Sequence, residues 1–182
     1  MNKKYSLMIG FVAIIIVAYL FVVNTSNAPE VVEATDIKER VQDYSEGNST
    51  SESASITSEQ LIVTDSDENE TTYELPEEEF FVSIAPFEET THPCAIHSLT
   101  GCQGEMVNET FDIYIEDMKG NVIVDDTVES QANGFIDLWV PRDQTYNVKI
   151  SHGGKTADST FSTFENDNTC ITTIQLTERN EA

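Results

Sequence analysis

Apolar and polar side chains alternate along most of the chain after residue 108. Phe111, Ile113 and Ile115 alternate with polar residues, and the same period of two returns in later segments. Since successive side chains of a strand point to opposite faces, this pattern predicts β-strands with one buried face. With three earlier apolar segments, the predicted strands are residues 60–64, 71–75, 79–85, 111–115, 121–128, 135–140, 146–150, 155–162 and 169–176.

Short turn signals separate these strands and leave no room for helices between them. Residues 119–121 (Lys-Gly-Asn), 133–134 (Asn-Gly) and 152–154 (His-Gly-Gly) are typical of tight turns. Strands at this spacing predict a mainly β protein with an antiparallel β-sandwich of the transthyretin or immunoglobulin type. We expect a short helix, a linker and a small strand region to precede this sandwich.

The short helix is predicted over residues 34–44. Asp36, with Glu39 three residues later, forms a plausible capping box at its start. One face of the helix carries three larger apolar residues: Ile37, Val41 and Tyr44. A helix this short is marginal alone in water, so it must dock on another surface, for instance a second copy of itself. Residues 45–59 are rich in Ser, Thr and Glu, which predicts a linker.

The N-terminus predicts export. Lys3 and Lys4 precede an apolar segment over residues 7–23, and no acidic residue occurs before Glu30. As a helix, about 18 such residues reach ~27 Å, close to the thickness of a hydrocarbon core. The lysines place the start in the cytoplasm, and we expect an uncleaved anchor, since Pro29 disfavours cleavage after the small residues before it. The rest is therefore extracytoplasmic, either membrane-anchored at the cell surface or secreted or periplasmic.

Four parts follow from these patterns. We expect a signal or membrane anchor over 1–28 and the helix with its linker over 29–59. The β domain spans 60–177, and residues 178–182 form a tail.

The charge of the chain excludes some partners. Lys and Arg total 9 against 33 Asp and Glu, for a formal net charge of -24. Such a chain repels phosphate backbones and anionic lipid head groups, so we expect no nucleic-acid partner. The acidic run over 65–79 is interpreted as a solvated face.

Three cysteines, an odd number, carry the candidate chemistry. Cys94 and Cys102 lie in a twelve-residue stretch that also holds His92 and His97. Cys170 is far away in sequence, but the parity of the predicted last strand turns it inward. Three thiolates beside an imidazole suit a soft cation, which could be Cu(I), zinc or the iron of an iron–sulfur cluster. Iron–sulfur sites typically need four cysteines and the usual zinc knuckle spacing is absent, whereas Cu(I) accepts two or three sulfur ligands.

Two interpretations compete with a metal site. In an exported protein, two cysteines often form a structural disulfide while a third is merely buried. The chain would then be a disulfide-stapled extracellular β-sandwich that serves as an interaction module without metal. A hydrolase with a Cys94–His97 dyad is disfavoured, because two residues only three positions apart on one loop give poor geometry for a nucleophile and its base.

The chain resembles the CueP family of periplasmic copper-binding proteins. The resemblance covers about residues 60–177, and four motifs carry it: 79–87, 91–105, 133–135 with 138–142, and 162–164 with 169–173. It implies Cu(I) binding through the thiolates of Cys94, Cys102 and Cys170. His97 matches the histidine of the motif and is included in the expected metal site.

The family resemblance also implies a function in copper resistance. Its members are thought to reduce Cu(II), to act as copper chaperones for exported cuproenzymes such as superoxide dismutase, and to form homodimers through the N-terminal part. A thiol-dependent cupric reductase activity would need an external thiol reductant to regenerate the dithiol. The predicted anchor departs from the better-known members, which have a cleaved signal.

A mechanism follows as a hypothesis. Cu(II) would first meet harder ligands, namely an imidazole of His92 or His97 and carboxylates such as Glu88, Glu89 and Glu105. A thiolate would then donate an electron, and sulfur would hold the resulting Cu(I). We expect the disulfide that forms on oxidation to join Cys102 and Cys170, because linking a loop end to a strand end needs little motion.

Overall fold

A computed structural model describes residues 34–48 and 52–178. Within these residues the chain is mainly β with one short helix, as the sequence predicts. The elements in chain order are α1 (Ala34–Ser45), β1 (Ser53–Ile56), β2 (Gln60–Thr64), β3 (Glu70–Glu74), β4 (Glu79–Ile84), β5 (His97–Ser98), β6 (Thr110–Asp117), β7 (Val122–Glu129), β8 (Ile136–Pro141), β9 (Thr145–His152), β10 (Lys155–Ser162), β11 (Cys170–Ile171) and β12 (Thr177–Glu178).

The strands form three sheets in the described part of the chain. Their orders are β3-β2-β1-β5, β12-β10-β9-β6-β7 and β11-β4-β8. Neighbouring strands are antiparallel except β11 and β4, which run parallel. The confirmed mainly β fold therefore includes one mixed sheet, and that sheet carries part of the candidate site.

The predicted linker over 45–59 contains a strand, which the polar composition of this segment did not indicate. Ser53–Ile56 forms β1 and pairs antiparallel with β2. Ala54 and Ile56 are buried there and alternate with two serines, a period of two within a polar stretch. The hydroxyl of Thr57 accepts hydrogen bonds from the backbone N–H groups of the next turn, which returns the chain into β2.

The prediction of a single last strand over 169–176 is wrong in its bounds. The prediction of which side chains in this segment face inward is correct. β11 holds only Cys170–Ile171, and Thr177–Glu178 pairs with β10 of another sheet. The backbone crosses from one sheet to the other, so it cannot form one continuous ladder. Side chains along this segment still alternate, and the inward ones are those expected: Cys170, Thr172, Ile174 and Leu176.

Helix α1 docks on its own chain. Its predicted apolar face, Ile37, Val41 and Tyr44, is buried in one hydrophobic cluster with residues of β1, β2 and β4. A second copy is therefore not needed to cover it. The predicted capping box is not formed, because α1 begins at Ala34 and Asp36 lies inside its first turn. The Asp36 carboxylate still interacts favourably with the positive, N-terminal end of the helix dipole.

β4 is buried on both faces, since it lies between two cores. Phe80 and Val82 belong to the larger cluster between the sheets, while Phe81 belongs to the cluster beneath α1. Ser83 shares the face of Phe81 and is fully buried. A hydroxyl in such a strand needs a hydrogen-bond partner, and the candidate site provides one.

The predicted anchor over residues 1–28 lies outside the described residues. Within 34–48 and 52–178, no helix is long and apolar enough to cross a membrane.

Candidate metal centre

The structure brings together the four residues that the sequence predicts as a site. One ligand atom from each of Cys94, His97, Cys102 and Cys170 lies within 4.8 Å of the other three. The Sγ atoms of Cys94 and Cys102 are 3.6 Å apart, and all three cysteines are free thiols. A structural disulfide with an unrelated third thiol requires no such convergence of Cys170 and His97.

Backbone pairing places His97 and Cys170 side by side. β5 adds to β1 with His97 opposite Ile56, while β11 adds to β4 with Cys170 opposite Ser83. Thr169 links the two pairs: its hydroxyl donates to the carbonyl of Ile56 (2.6 Å) and accepts from the backbone N–H of His97 (3.1 Å). The distant cysteine is thus held against the loop by sheet hydrogen bonds.

A tight turn places Cys102 opposite Cys94. The backbone N–H of Cys102 donates to the carbonyl of Ser98 at 3.0 Å, closing the turn. Two residues later, the N–H of Gly104 donates to the carbonyl of Asn133 at 2.7 Å, which fixes the end of the loop on the turn before β8. The position of Cys102 therefore depends on a backbone contact outside its own loop.

Two carboxylates near the loop, those of Glu88 and Glu105, make structural contacts. The side chain of Glu105 accepts hydrogen bonds from the backbone N–H groups of Glu88, Glu89 and Thr90. Glu88 is ion-paired with Lys155. Glu105 and Glu88 are therefore engaged in contacts that order the loop, and the hypothesis that they first meet Cu(II) finds no support in this arrangement.

The site is buried at one end and accessible at the other. His97 has no exposed surface and Cys170 is 2% exposed, whereas Cys94 and Cys102 are half-buried. The ring of Phe135, itself fully buried, lies 4.5 Å from the His97 ring between centroids. An ion would enter past Cys94 and Cys102 and meet the imidazole and Cys170 against an apolar wall.

Burial also sets the charge of the thiols. It raises the pKa of Cys170 well above the ordinary value, and the neighbouring Cys94 and Cys102 raise it further. Burial raises the pKa of the Cys94 thiol as well. Both groups are therefore protonated thiols at neutral pH without metal. Thiols bind metals as thiolates, so an ion held by these two sulfur atoms would displace their protons.

His97 is held by a short chain of side chains. Its Nε2 lies 3.3 Å from the Oγ of Ser83, which donates to the Oδ1 of Asp137 at 2.5 Å. Its Nδ1 is buried and has no hydrogen-bond partner among the described residues. Burial lowers the pKa of His97 to about 4; the Asp137 carboxylate raises it and His92 lowers it further.

The depressed pKa of His97 predicts an acid-sensitive fold. In the unfolded chain this imidazole binds a proton near its ordinary pKa of 6.5, and in the folded chain only near 4. The free energy of unfolding of the metal-free chain should fall by about 3 kcal/mol as pH drops through this window, because the unfolded state binds the extra proton. We expect His97→Leu to lose this part of the pH dependence, measured by urea unfolding at a series of pH values under reducing conditions. Equal pH slopes for both proteins would contradict the assignment.

Comparison with known families and structures assigns this chain to a family. The family described as periplasmic copper-binding protein CueP matches residues 32–175. This chain belongs to the CueP family. The crystal structure of S.CueP is 39% identical in sequence and superposes with a TM-score of 0.73, covering 78% of this chain and 89% of that chain. A comparison with curated protein sequences found no match.

Membership of the CueP family confirms the resemblance and indicates which metal the site is expected to bind. The family is copper-binding and periplasmic by description, and the cysteine–histidine cluster is where this chain can hold a metal. The prediction of copper as the partner ion is confirmed at that level. Tethering at a cell surface stays a prediction.

The sequence analysis missed the residues around the candidate ligands. Ser83 and Asp137 are each flanked on both sides by large apolar residues of their strands, and a polar residue within such an apolar run is the signal that could have found them. His92 is half-buried beside Phe135, with ring centroids 6.4 Å apart. His152 lies elsewhere, its Nδ1 2.8 Å from the carbonyl oxygen of Thr110, as expected for an ordinary turn residue.

Proposed function

We propose that this CueP family member holds one copper ion as Cu(I). The thiolates of Cys94, Cys102 and Cys170 are the ligands, and His97 supplies a fourth donor. The observation that carries the proposal is the convergence of these four side chains within 4.8 Å from two segments that lie far apart in the chain. Its cellular role would be copper resistance and copper trafficking outside the cytoplasmic membrane.

The donor set supports Cu(I) over harder ions. Thiolates select soft cations, and no carboxylate belongs to the cluster that the described residues form. Three cysteines and one histidine also make a tetrahedral zinc site, so ligand chemistry alone leaves zinc as a competitor. The copper-binding family of the chain favours copper.

Reduction of Cu(II) is the further activity that the cluster can support. Two thiols that join as a disulfide release two electrons and two protons, which reduces two Cu(II) ions to two Cu(I) ions. The predicted pair is Cys102 with Cys170, and Cys94 with Cys102, whose sulfur atoms are 3.6 Å apart, is a second candidate pair. Either disulfide requires the sulfur atoms to approach to ~2 Å, a small displacement. A thiol reductant must then restore the dithiol.

The remaining expectations stay predictions. They are transfer of copper to an exported cuproenzyme such as superoxide dismutase, a homodimer, and an N-terminal membrane anchor. The helix proposed to dimerise covers its apolar face within the chain, so a dimer would have to use another surface of the N-terminal part.

A competition titration tests the proposed function. The full chain, reduced and free of metal, is titrated with Cu(I) in the presence of the chelator bathocuproine disulfonate and then challenged with excess Zn²⁺. We expect one Cu(I) per chain, held against the chelator and not displaced by zinc, because thiolates prefer the softer ion. Failure to compete with the chelator, or displacement by zinc, would overturn the copper assignment.

A further inference from the structure

A buried serine behind His97 connects it to a half-buried carboxylate. Ser83 is fully buried on β4 and Asp137 lies opposite it on β8, at the paired position of the two strands. The Ser83 Oγ is 2.5 Å from the Asp137 Oδ1 and 3.3 Å from the His97 Nε2. Neither residue belongs to the metal-ligand cluster, and no role in the proposed function has been assigned to them.

The direction of these hydrogen bonds follows from the carboxylate. An ionised carboxylate only accepts, so the single hydroxyl proton of Ser83 is donated to Asp137. The Ser83 oxygen is then left as an acceptor, and the His97 Nε2 must donate to it. A neutral imidazole carries one proton, so Nδ1 holds a lone pair. Nδ1 is the buried ring nitrogen without a hydrogen-bond partner among the described residues.

We propose that Ser83 and Asp137 are positioning residues that hold His97 in its Nε2–H tautomer and present the Nδ1 lone pair to the copper ion. The inference rests on the proposed function, because it assigns a role relative to that site. Without Ser83, either tautomer is open to the imidazole, and the form with a proton on Nδ1 cannot donate to a metal. Partners of this kind orient the ligating histidines of metal sites.

The surrounding contacts fix the carboxylate independently of His97. The Asp137 Oδ2 accepts from the hydroxyl of Ser45, the last residue of α1, at 2.6 Å, and from the Nε2 of Gln131 at 3.2 Å. The other oxygen is left for Ser83. The strand register adds a second constraint, because Ser83 pairs with Cys170 and so lies beside a proposed ligand.

Nitrogen-15 NMR of the histidine side chains tests the tautomer directly. In the metal-free, reduced full chain at pH 7, we expect His97 as Nε2–H, assigned by comparison with His97→Ala. Ser83→Ala should give a mixture of tautomers, whereas Ser83→Thr, which restores a hydroxyl, should return the Nε2–H form. Ser45→Ala is the matched control: it removes a donor to the same carboxylate but leaves the Ser83 bond, and should keep the tautomer. A proton on Nδ1 in the unaltered chain would overturn the inference, whatever the variants do.

A double-mutant cycle tests whether Ser83 acts through His97. We expect Ser83→Ala to lower Cu(I) affinity about 10–100-fold, the usual cost of losing such a partner. In a His97→Ala background the same change should have no further effect on affinity. An equal loss in both backgrounds would show that Ser83 only supports the fold, and would overturn the inference.

The two proposals fail in different ways. Cys94→Ser, measured alongside, reports on the copper site alone. If Cys94→Ser weakens Cu(I) binding while Ser83→Ala does not, the positioning role is wrong and the proposed function stands. If Cys94→Ser has no effect on Cu(I) affinity, the proposed function is wrong, and the positioning role, which depends on it, is overturned with it.

Discussion

Replacing any one of Cys94, Cys102 and Cys170 with serine should lower the Cu(I) affinity of the chain at least about a hundredfold, or ~2.8 kcal/mol of binding free energy. Serine has nearly the shape of cysteine, but its hydroxyl is a hard donor that stays protonated at neutral pH, so one soft ligand is lost. The three effects should be similar in direction, because all three sulfur atoms lie in one cluster. Chelator competition with each reduced variant measures the affinities.

The pattern across the three variants separates the copper site from a structural disulfide. A disulfide would make two of the substitutions destabilise the oxidised protein and leave the third without effect. Urea unfolding of each metal-free variant, with and without reductant, provides the control for folding. If two of the three substitutions destabilise the protein, the third has no effect and Cu(I) affinity is unchanged in all of them, the three-thiolate site is contradicted. That result would favour the interaction module stabilised by a disulfide.

Gly134→Ala should both destabilise the fold and weaken Cu(I) binding. Gly134 has a φ of +79°, and a Cβ added there would lie 2.8 Å from the carbonyl carbon and oxygen of Gly104. The left-handed backbone costs an alanine about 1–2 kcal/mol, and forcing the two backbones apart adds about 1–3 kcal/mol. Because Gly104 lies two residues after Cys102, the displaced loop would carry that thiol away from Cys170.

Gly120→Ala is the matched control for that substitution. Gly120 has nearly the same backbone conformation, with a φ of +82°, but nothing lies within 4 Å of the Cβ that alanine would add. We expect only the conformational cost of about 1–2 kcal/mol and no change in Cu(I) affinity. Urea unfolding and the chelator titration measure both quantities. If Gly134→Ala costs no more than Gly120→Ala, the close approach of the two loops does not contribute to the site.

Much of the fold could be predicted from local patterns. Residues 60–64 and 155–162 are strands with the predicted bounds, and the other long strands shift by a few residues. The apolar face of α1 was likewise readable from its spacing. The errors occur where pairing overrides composition: β1 forms in a polar stretch because β2 returns against it, and the last segment divides between two sheets.

The candidate ligands were predictable because their chemistry is rare. Thiols and imidazoles are few in this chain, and two of each lie within residues 91–102. Their supporting residues were not predictable in the same way. A serine within β4 has the same local pattern whether it faces solvent or a histidine, and only its position between two cores makes its hydrogen bonds obligatory.

The sequence by itself determined that this protein is a mainly β member of a copper-binding family, which side chains face inward, and which four residues could hold the ion. Periodicity and donor chemistry are local properties, so they can be read without coordinates. Only the tertiary structure decided that Cys170 meets the loop cysteines, that Gly104 rests on Gly134, and that a carboxylate on β8 reaches His97 through Ser83. These contacts join segments far apart in the chain, and their geometry depends on strand register, which no single segment encodes.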